Sequence, residues 1–202
     1  MKIAILGAGN IGGTLAKKWL GAGHEVVFGV RDAASPKTIA ALESAGGKIR
    51  AVSMEEAVRF GEVVLISVPW KAVPELMDAR AAGLQNKIIL DATNNFAGPV
   101  INNLEIIREK APSAALYRAF NSLGWEVFAN PQFGSVQADM FYCGPDGAQR
   151  PAVEKLITEI GVRPIWVGDN DRAAIVDAVG SLWITLVRQS GRSRHLAFKL
   201  LE

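Results

Sequence analysis

The sequence predicts an α/β fold: a doubly wound parallel sheet carrying a β/α extension at its C-terminal side. Three observations lead there. Strand-length apolar runs alternate with helix-length amphipathic stretches from Ile3 to Gln189. Glu62 to Val68 is apolar almost without interruption, as a central parallel strand covered on both faces requires. The chain also begins with a short apolar strand, a glycine-rich turn, a helical stretch and a second apolar strand, which is the opening of a βαβ unit.

Each element has a local reason. Ile3 to Leu6 forms the first strand, Gly13 to Leu20 the first helix, and Glu25 to Val30 the second strand. Ser35 caps a helix over Pro36 to Ala45, with proline at the first helical position, and Gly46-Gly47 stops it. Lys48 to Val52 is a short third strand. Ser53-Met54-Glu55-Glu56 is a capping box that opens a helix ending near Phe60. Pro69-Trp70 ends the fourth strand, a helix covers Ala72 to Ala82, and Lys87 to Ala92 makes a fifth strand before the loop Thr93 to Pro99. Helix is expected over Ile101 to Lys110, strand over Ala114 to Phe120, and a short helix or turn over Leu123 to Phe128. Strands over Ala138 to Cys143 and Arg163 to Val167 flank a helix over Ala148 to Ile160. An apolar helix over Arg172 to Gln189 and a tail over Arg194 to Glu202 complete the chain. No repeat or low-complexity segment divides it, so one domain is expected, with a core over 1–120 and an extension over 121–202.

At 202 residues, 50% apolar and 21% charged, the composition suits a soluble chain with a filled core. The net charge of +2 gives no reason to expect nucleic acid or an anionic membrane as partner. No run approaches the roughly 20 apolar residues of a membrane span, and Ile3 to Leu6 is too short for a secretory segment. The single Cys143 cannot form an internal disulfide, which suits a reducing cytoplasm, and its apolar surroundings Met140-Phe141-Tyr142 read as core.

The turn Gly7-Ala8-Gly9-Asn10-Ile11-Gly12 is G-x-G-x-x-G. Alone it could merely close a βα unit; flanked by two strands it is a dinucleotide-binding fingerprint of Rossmann-like type. Gly7 allows the tight turn, Gly9 a close approach to pyrophosphate, and Gly12 close packing of helix on strand. The helix N-terminus then offers unpaired N–H groups to the phosphates. At the end of the second strand Val30 cannot accept hydrogen bonds from ribose hydroxyls, whereas Arg31 can bind a 2′-phosphate through two hydrogen bonds, with Lys37 near enough to help. That favours NADP. The competing reading takes Asp32, about twenty residues past the last glycine, as ribose acceptor for NAD.

Ser67-Val68-Pro69 would pass beside the cofactor. Trp70 either shields it or packs on a helix start. Asn94 and Asn95 either bind a carboxamide or substrate, or merely build a turn. No acid–base set is present and no residue is assigned as catalytic. His24 precedes the second strand, away from the ligand edge; His195 lies in the tail after a basic turn and could approach the active site in a dimer. Neither a metal-ligand cluster nor G-x-S-x-G occurs. Hydride transfer between two rings needs neither, because positioning in a dry pocket suffices. The apolar helix Ala173 to Leu186 is expected to enter a homodimer interface or roof the substrate pocket.

Together these segments resemble the 8-hydroxy-5-deazaflavin:NADPH oxidoreductases. The similarity runs through Ile3-Ala4-Ile5-Leu6-Gly7 with Gly9-Asn10-Ile11-Gly12, Gly23 to Gly29 leading to Arg31, and Val68-Pro69-Trp70. It continues through Ile160 to Pro164, Arg188, Gly191 and Phe198 to Leu201. Ala119-Phe120-Asn121-Ser122 also looks like a turn of that family and of the cytosolic domain of membrane ferric reductases. The resemblance implies reversible hydride transfer between NADPH and a stacked deazaflavin coenzyme. It implies that Asn10, Ile11, Arg31, Val68 and Pro69 line the NADP site, and that Asn121 and Ser122 lie near the reacting rings. Val30 stands where that family often has a hydroxyl residue. Two other readings remain. One is a small dehydrogenase or imine reductase, resembling hydroxy-acid, 6-phosphogluconate and pyrroline carboxylate enzymes, which append a larger helical domain. The other is a non-catalytic NADP(H)-binding or redox-sensing module.

Overall fold

The computed structural model describes residues 1–202. Its first half alternates β1 (Lys2–Leu6), α1 (Asn10–Gly21), β2 (Glu25–Val30), α2 (Pro36–Ser44), β3 (Arg50–Ser53), α3 (Met54–Phe60) and β4 (Val63–Ile66). A 3-10 turn over Trp70–Ala72 leads to α4 (Val73–Leu84), β5 (Ile88–Asp91), α5 (Leu104–Lys110) and β6 (Ala115–Arg118). All six strands are parallel, in the order β3-β2-β1-β4-β5-β6. The order reverses between β1 and β4, and a crevice opens there beyond the strand ends. The two expected caps form: Ser35 Oγ accepts from the Thr38 N–H at 3.3 Å, and Ser53 Oγ from the Glu56 N–H at 3.1 Å.

Alternate side chains of each strand enter different cores. Ile3, Ile5, Phe28 and Leu65 pack with Leu15 and Trp19 of α1, while Ala4, Leu6, Val64 and Ile66 pack with α3 and α4. This two-sided burial explains the unbroken apolar run at β4. β3 begins two residues later than expected, because Gly46 and Gly47, at φ of 64° and 69°, carry the turn on through Lys48.

The second half contains α6 (Trp125–Ala129), β7 (Gln132–Phe133), β8 (Val136–Gln137), β9 (Asp139–Tyr142), α7 (Arg150–Glu159), β10 (Arg163–Trp166) and α8 (Ala173–Arg188). Its strands do not simply prolong the parallel sheet. β9 and β10 pair with each other, and reach β6 through a single antiparallel bridge at Arg118 and Cys143. The Arg118 N–H donates to the Cys143 carbonyl at 2.9 Å and the reverse bond is 3.2 Å. The hairpin of β7 and β8 was not expected; strands of two residues are too short to show a period of two. The first core nevertheless runs through both halves, since Val153, Leu156 and Ile160 of the α7 segment join it. The Trp19 indole N–H, on α1, donates to the Leu156 carbonyl at 3.0 Å.

The tail is tied down by charge. Asp139 of β9, wholly buried, accepts from Arg163 at 2.9 Å, from Lys199 at 2.9 Å and from the Leu200 N–H at 2.7 Å. Burial alone would raise its pKa, but the bonds from Arg163 and Lys199 outweigh it and hold the carboxyl below its ordinary range. No helix is long and apolar enough to cross a membrane.

Candidate nucleotide-binding site

The glycine turn has the geometry that its sequence implies. Gly7 sits at φ of +109°, and a Cβ there would come within 2.8 Å of the Ser67 carbonyl. A Cβ on Gly12 would lie 2.3 Å from the Gly7 carbonyl and 2.9 Å from Ile5, so only glycine lets α1 start this close to β1. Gly9, by contrast, faces open space, directly before the exposed Asn10 at the N-terminus of α1. Ile11 is half-buried and packs against the first core. Ser67 braces the turn from β4: its hydroxyl donates toward the Leu6 carbonyl at 3.2 Å and the Gly7 carbonyl at 3.1 Å. It shapes the site with its hydroxyl already engaged.

Two clefts flank this turn. A cleft of about 150 Å³ is lined by Arg31, Met54, Val68, Pro69 and the face of α4 that carries Glu75 and Arg80. Arg31 is exposed there, and no side chain pairs with it. Val30 beside it is buried, its side chain in the first core. The second cleft, about 410 Å³, runs between α1 and α2 from Gly9 and Asn10 to Lys17 and Ser44, with Trp125 at its rim. Lys37 lines this second cleft, so it and Arg31 approach the turn from different sides. Asp32 is turned to its own loop, where its carboxylate caps the Ala34 N–H at 2.8 Å.

Of the remaining expected residues, Asn94 and Asn121 are drawn into a buried ionic cluster whose members the local sequence does not pair. Arg118, wholly buried at the end of β6, meets Asp91 at 3.0 Å and Asp177 of α8 at 2.8 Å. It also donates to the Asp91 and Thr93 carbonyls and to Asn94 Oδ1 at 2.6 Å. Asn94 returns its amide to the Asn121 carbonyl at 2.8 Å, so both ends of that side chain are engaged. Asn121 donates to Asp177 at 3.3 Å, and its own Oδ1 is buried without a partner. Ser122 is buried with only Met140 sulfur nearby at 3.8 Å. Asn95 folds back on the Val100 carbonyl at 3.2 Å. Trp70 is half-buried at the start of α4, its indole N–H without a partner.

The signal for this cluster was present. Asp91, Arg118 and Asp177 each interrupt an otherwise apolar stretch, and a charge in such a stretch is retained only when paired. Which three would meet could not be read, because they come from β5, β6 and α8. Phe120 adds strain beside them: it holds φ of 62°, a left-handed conformation costing about 1–2 kcal/mol, between the rings of Trp19 and Phe128.

α8 closes over this region. Its inner face buries Ala173, Val176, Asp177, Gly180 and Trp183, and a Cβ on Gly180 would press on the Asn121 carbonyl at 3.2 Å. Ile175 and Leu182 stay half exposed on the outside. The histidines are structural: His24 bridges Glu159 at 2.7 Å, and His195 stacks on Phe133 at 4.3 Å. Burial pushes the Cys143 thiol up to about 12, which keeps it protonated and unreactive.

The chain is similar to several known proteins. Residues 2–95 match the family model described as NADP oxidoreductase coenzyme F420-dependent. The F420-dependent NADP reductase of Methanothermobacter marburgensis is 26% identical over 207 residues, covering 92% of this chain and 92% of that protein. Metalloreductase STEAP3 of Rattus norvegicus is 28% identical over 183 residues, which is 88% of this chain but 36% of the metalloreductase. The chain thus spans about a third of that relative's length. A crystal structure from Arthrobacter sp. FB24, described as a candidate F420-dependent NADP reductase, superposes with a TM-score of 0.85 at 24% identity and full coverage of both chains. The resemblance read from Gly7 to Gly12, Arg31 and Val68-Pro69-Trp70 is borne out: over residues 2–95 the chain is similar to the coenzyme F420-dependent NADP oxidoreductases.

Proposed function

We propose that this protein is an NADP(H)-dependent oxidoreductase that transfers hydride between NADPH and a deazaflavin coenzyme. The carrying observation is the unpaired, exposed Arg31 in a cleft beside a sterically enforced glycine turn. A pyrophosphate would lie over the open side of Gly9 and the α1 N-terminus. The adenosine would enter the Arg31 cleft past Val68 and Pro69, with its 2′-phosphate on Arg31 and within reach of Lys37 from the other side. The deazaflavin assignment draws on the family model and on the name of a relative that covers 92% of this chain. Hydride transfer asks the chain to hold two rings face to face and exclude water. The engaged amides of Asn94 and Asn95 and the buried Asn121 and Ser122 serve this reading as a rigid wall behind the rings.

The test is anaerobic mixing of NADPH with oxidised deazaflavin, alongside binding of NADPH and NADH to wild type and Arg31→Ala. The expected outcome is bleaching of the deazaflavin absorbance, with NADPH bound about tenfold or more tighter than NADH and that preference lost in the variant. Tight NADPH binding without turnover on deazaflavin, flavin, quinone or ferric acceptors would leave a binding module instead. We further propose that residues 1–202 unfold as one domain, given the core shared by both halves. A homodimer through Ile175 and Leu182 would cover the outer face of α8; sedimentation showing only monomer removes it.

A further inference from the structure

The cleft that holds Arg31 has a second polar wall, formed by α4. Glu75, Leu76, Ala79 and Arg80 recur at helical spacing on one face of α4 and turn toward the cleft. Leu76, with Met54 and Val68, gives it an apolar floor. The Arg80 Nε is buried without a partner, and the side chain's one hydrogen bond goes to the neighbouring Ala79 carbonyl. Glu75 is exposed and makes no ion pair with either arginine. Two guanidinium groups and one carboxylate therefore surround an apolar slot with their pairing capacity unspent.

We propose that Glu75 and Arg80 read the adenine base of the cofactor. The planar Arg80 guanidinium lies against the ring face, where cation–π attraction and stacking favour it over lysine. The Glu75 carboxylate accepts a hydrogen bond from the exocyclic amine, the donor that distinguishes adenine from hypoxanthine. This rests on the cofactor being NADP(H).

The test is calorimetric binding of NADPH, of its hypoxanthine analogue, and of reduced nicotinamide mononucleotide, which lacks the adenosine. Wild type should prefer NADPH over the hypoxanthine analogue by roughly tenfold, the worth of one hydrogen bond to a charged group. Glu75→Ala should bring the ratio near one by weakening NADPH, while Glu75→Gln, which keeps an acceptor, retains part of the preference. Arg80→Leu, which keeps the apolar stem, should weaken both dinucleotides by about fivefold and leave the mononucleotide unchanged. Equal wild-type affinity for the two bases, or an undiminished preference in Glu75→Ala, overturns the proposal and leaves the cofactor assignment intact. No NADPH binding by wild type would overturn both.

Discussion

Two clusters of buried charge fasten the second half of the chain, and water reaches them differently. In the first, the cation is inside. Arg118 and Asp91 are 0% exposed and Asp177 is 5% exposed, so all three charges are removed from solvent. In the second, the anion is inside. Asp139 is 0% exposed, but Arg163 and Lys199 remain 32% and 27% exposed, their stems buried and their heads partly wet. A sealed cluster has to keep every member, because a partner lost leaves a charge that nothing else can satisfy. An open cluster can replace a lost cation with water. The first lies at the C-terminal ends of β5 and β6, on the edge where ligands bind, and it fixes Thr93 and Asn94 from beneath. The second docks a tail.

The sharpest way to break this contrast is Arg118→Met. Asp91 and Asp177 would then be stranded, and a loss of about 3–5 kcal/mol is expected in urea unfolding. A loss under about 1 kcal/mol would show that water enters the cluster and that the contrast is wrong. Asp139→Asn should cost less, about 1–3 kcal/mol, because Arg163 and Lys199 can turn to solvent. Its main effect should be a tail that trypsin cuts at Lys199, with the body intact. A third effect is a pH dependence of the second cluster. The carboxyl of Asp139 is held below its ordinary range in the folded state, so its contribution is complete above the unfolded pKa near 4. It is lost as pH falls through the lower folded value. Tail docking, followed by hydrogen exchange at Leu200, should therefore fade below about pH 4, and Asp139→Asn should abolish that dependence. The smallest effect belongs to Lys199→Met, under about 1 kcal/mol, as for other half-exposed pairs.

How much of this was legible differs from element to element. Ser35 and Ser53 announced their helices because a cap is a contact over three residues. Gly7 and Gly12 announced the turn because neither position leaves room for a Cβ. The bridge between Arg118 and Cys143, and the separate pairing of β9 with β10, left no trace, since an apolar run does not name its partner strand. Asn94 and Asn121 look alike as loop amides, whether they face a ligand or a buried arginine; the tertiary contacts alone separate the two. Glu75 and Arg80 carry no sign of a role in the sequence, because surface charges on a helix are ordinary and only the folded cleft sets these two apart.

The doubly wound half of the molecule, its glycine turn and the arginine at the end of β2 are all legible in short stretches of the chain. These follow from local sterics, capping and a period of alternation that any short window contains. Long-range packing is what sets Lys37 and Arg31 in different clefts, braces the turn with Ser67, and brings Asp91, Arg118 and Asp177 together beneath the ligand edge. Those facts depend on which distant segments pack together, and that is settled by burying charge and apolar surface over the whole chain.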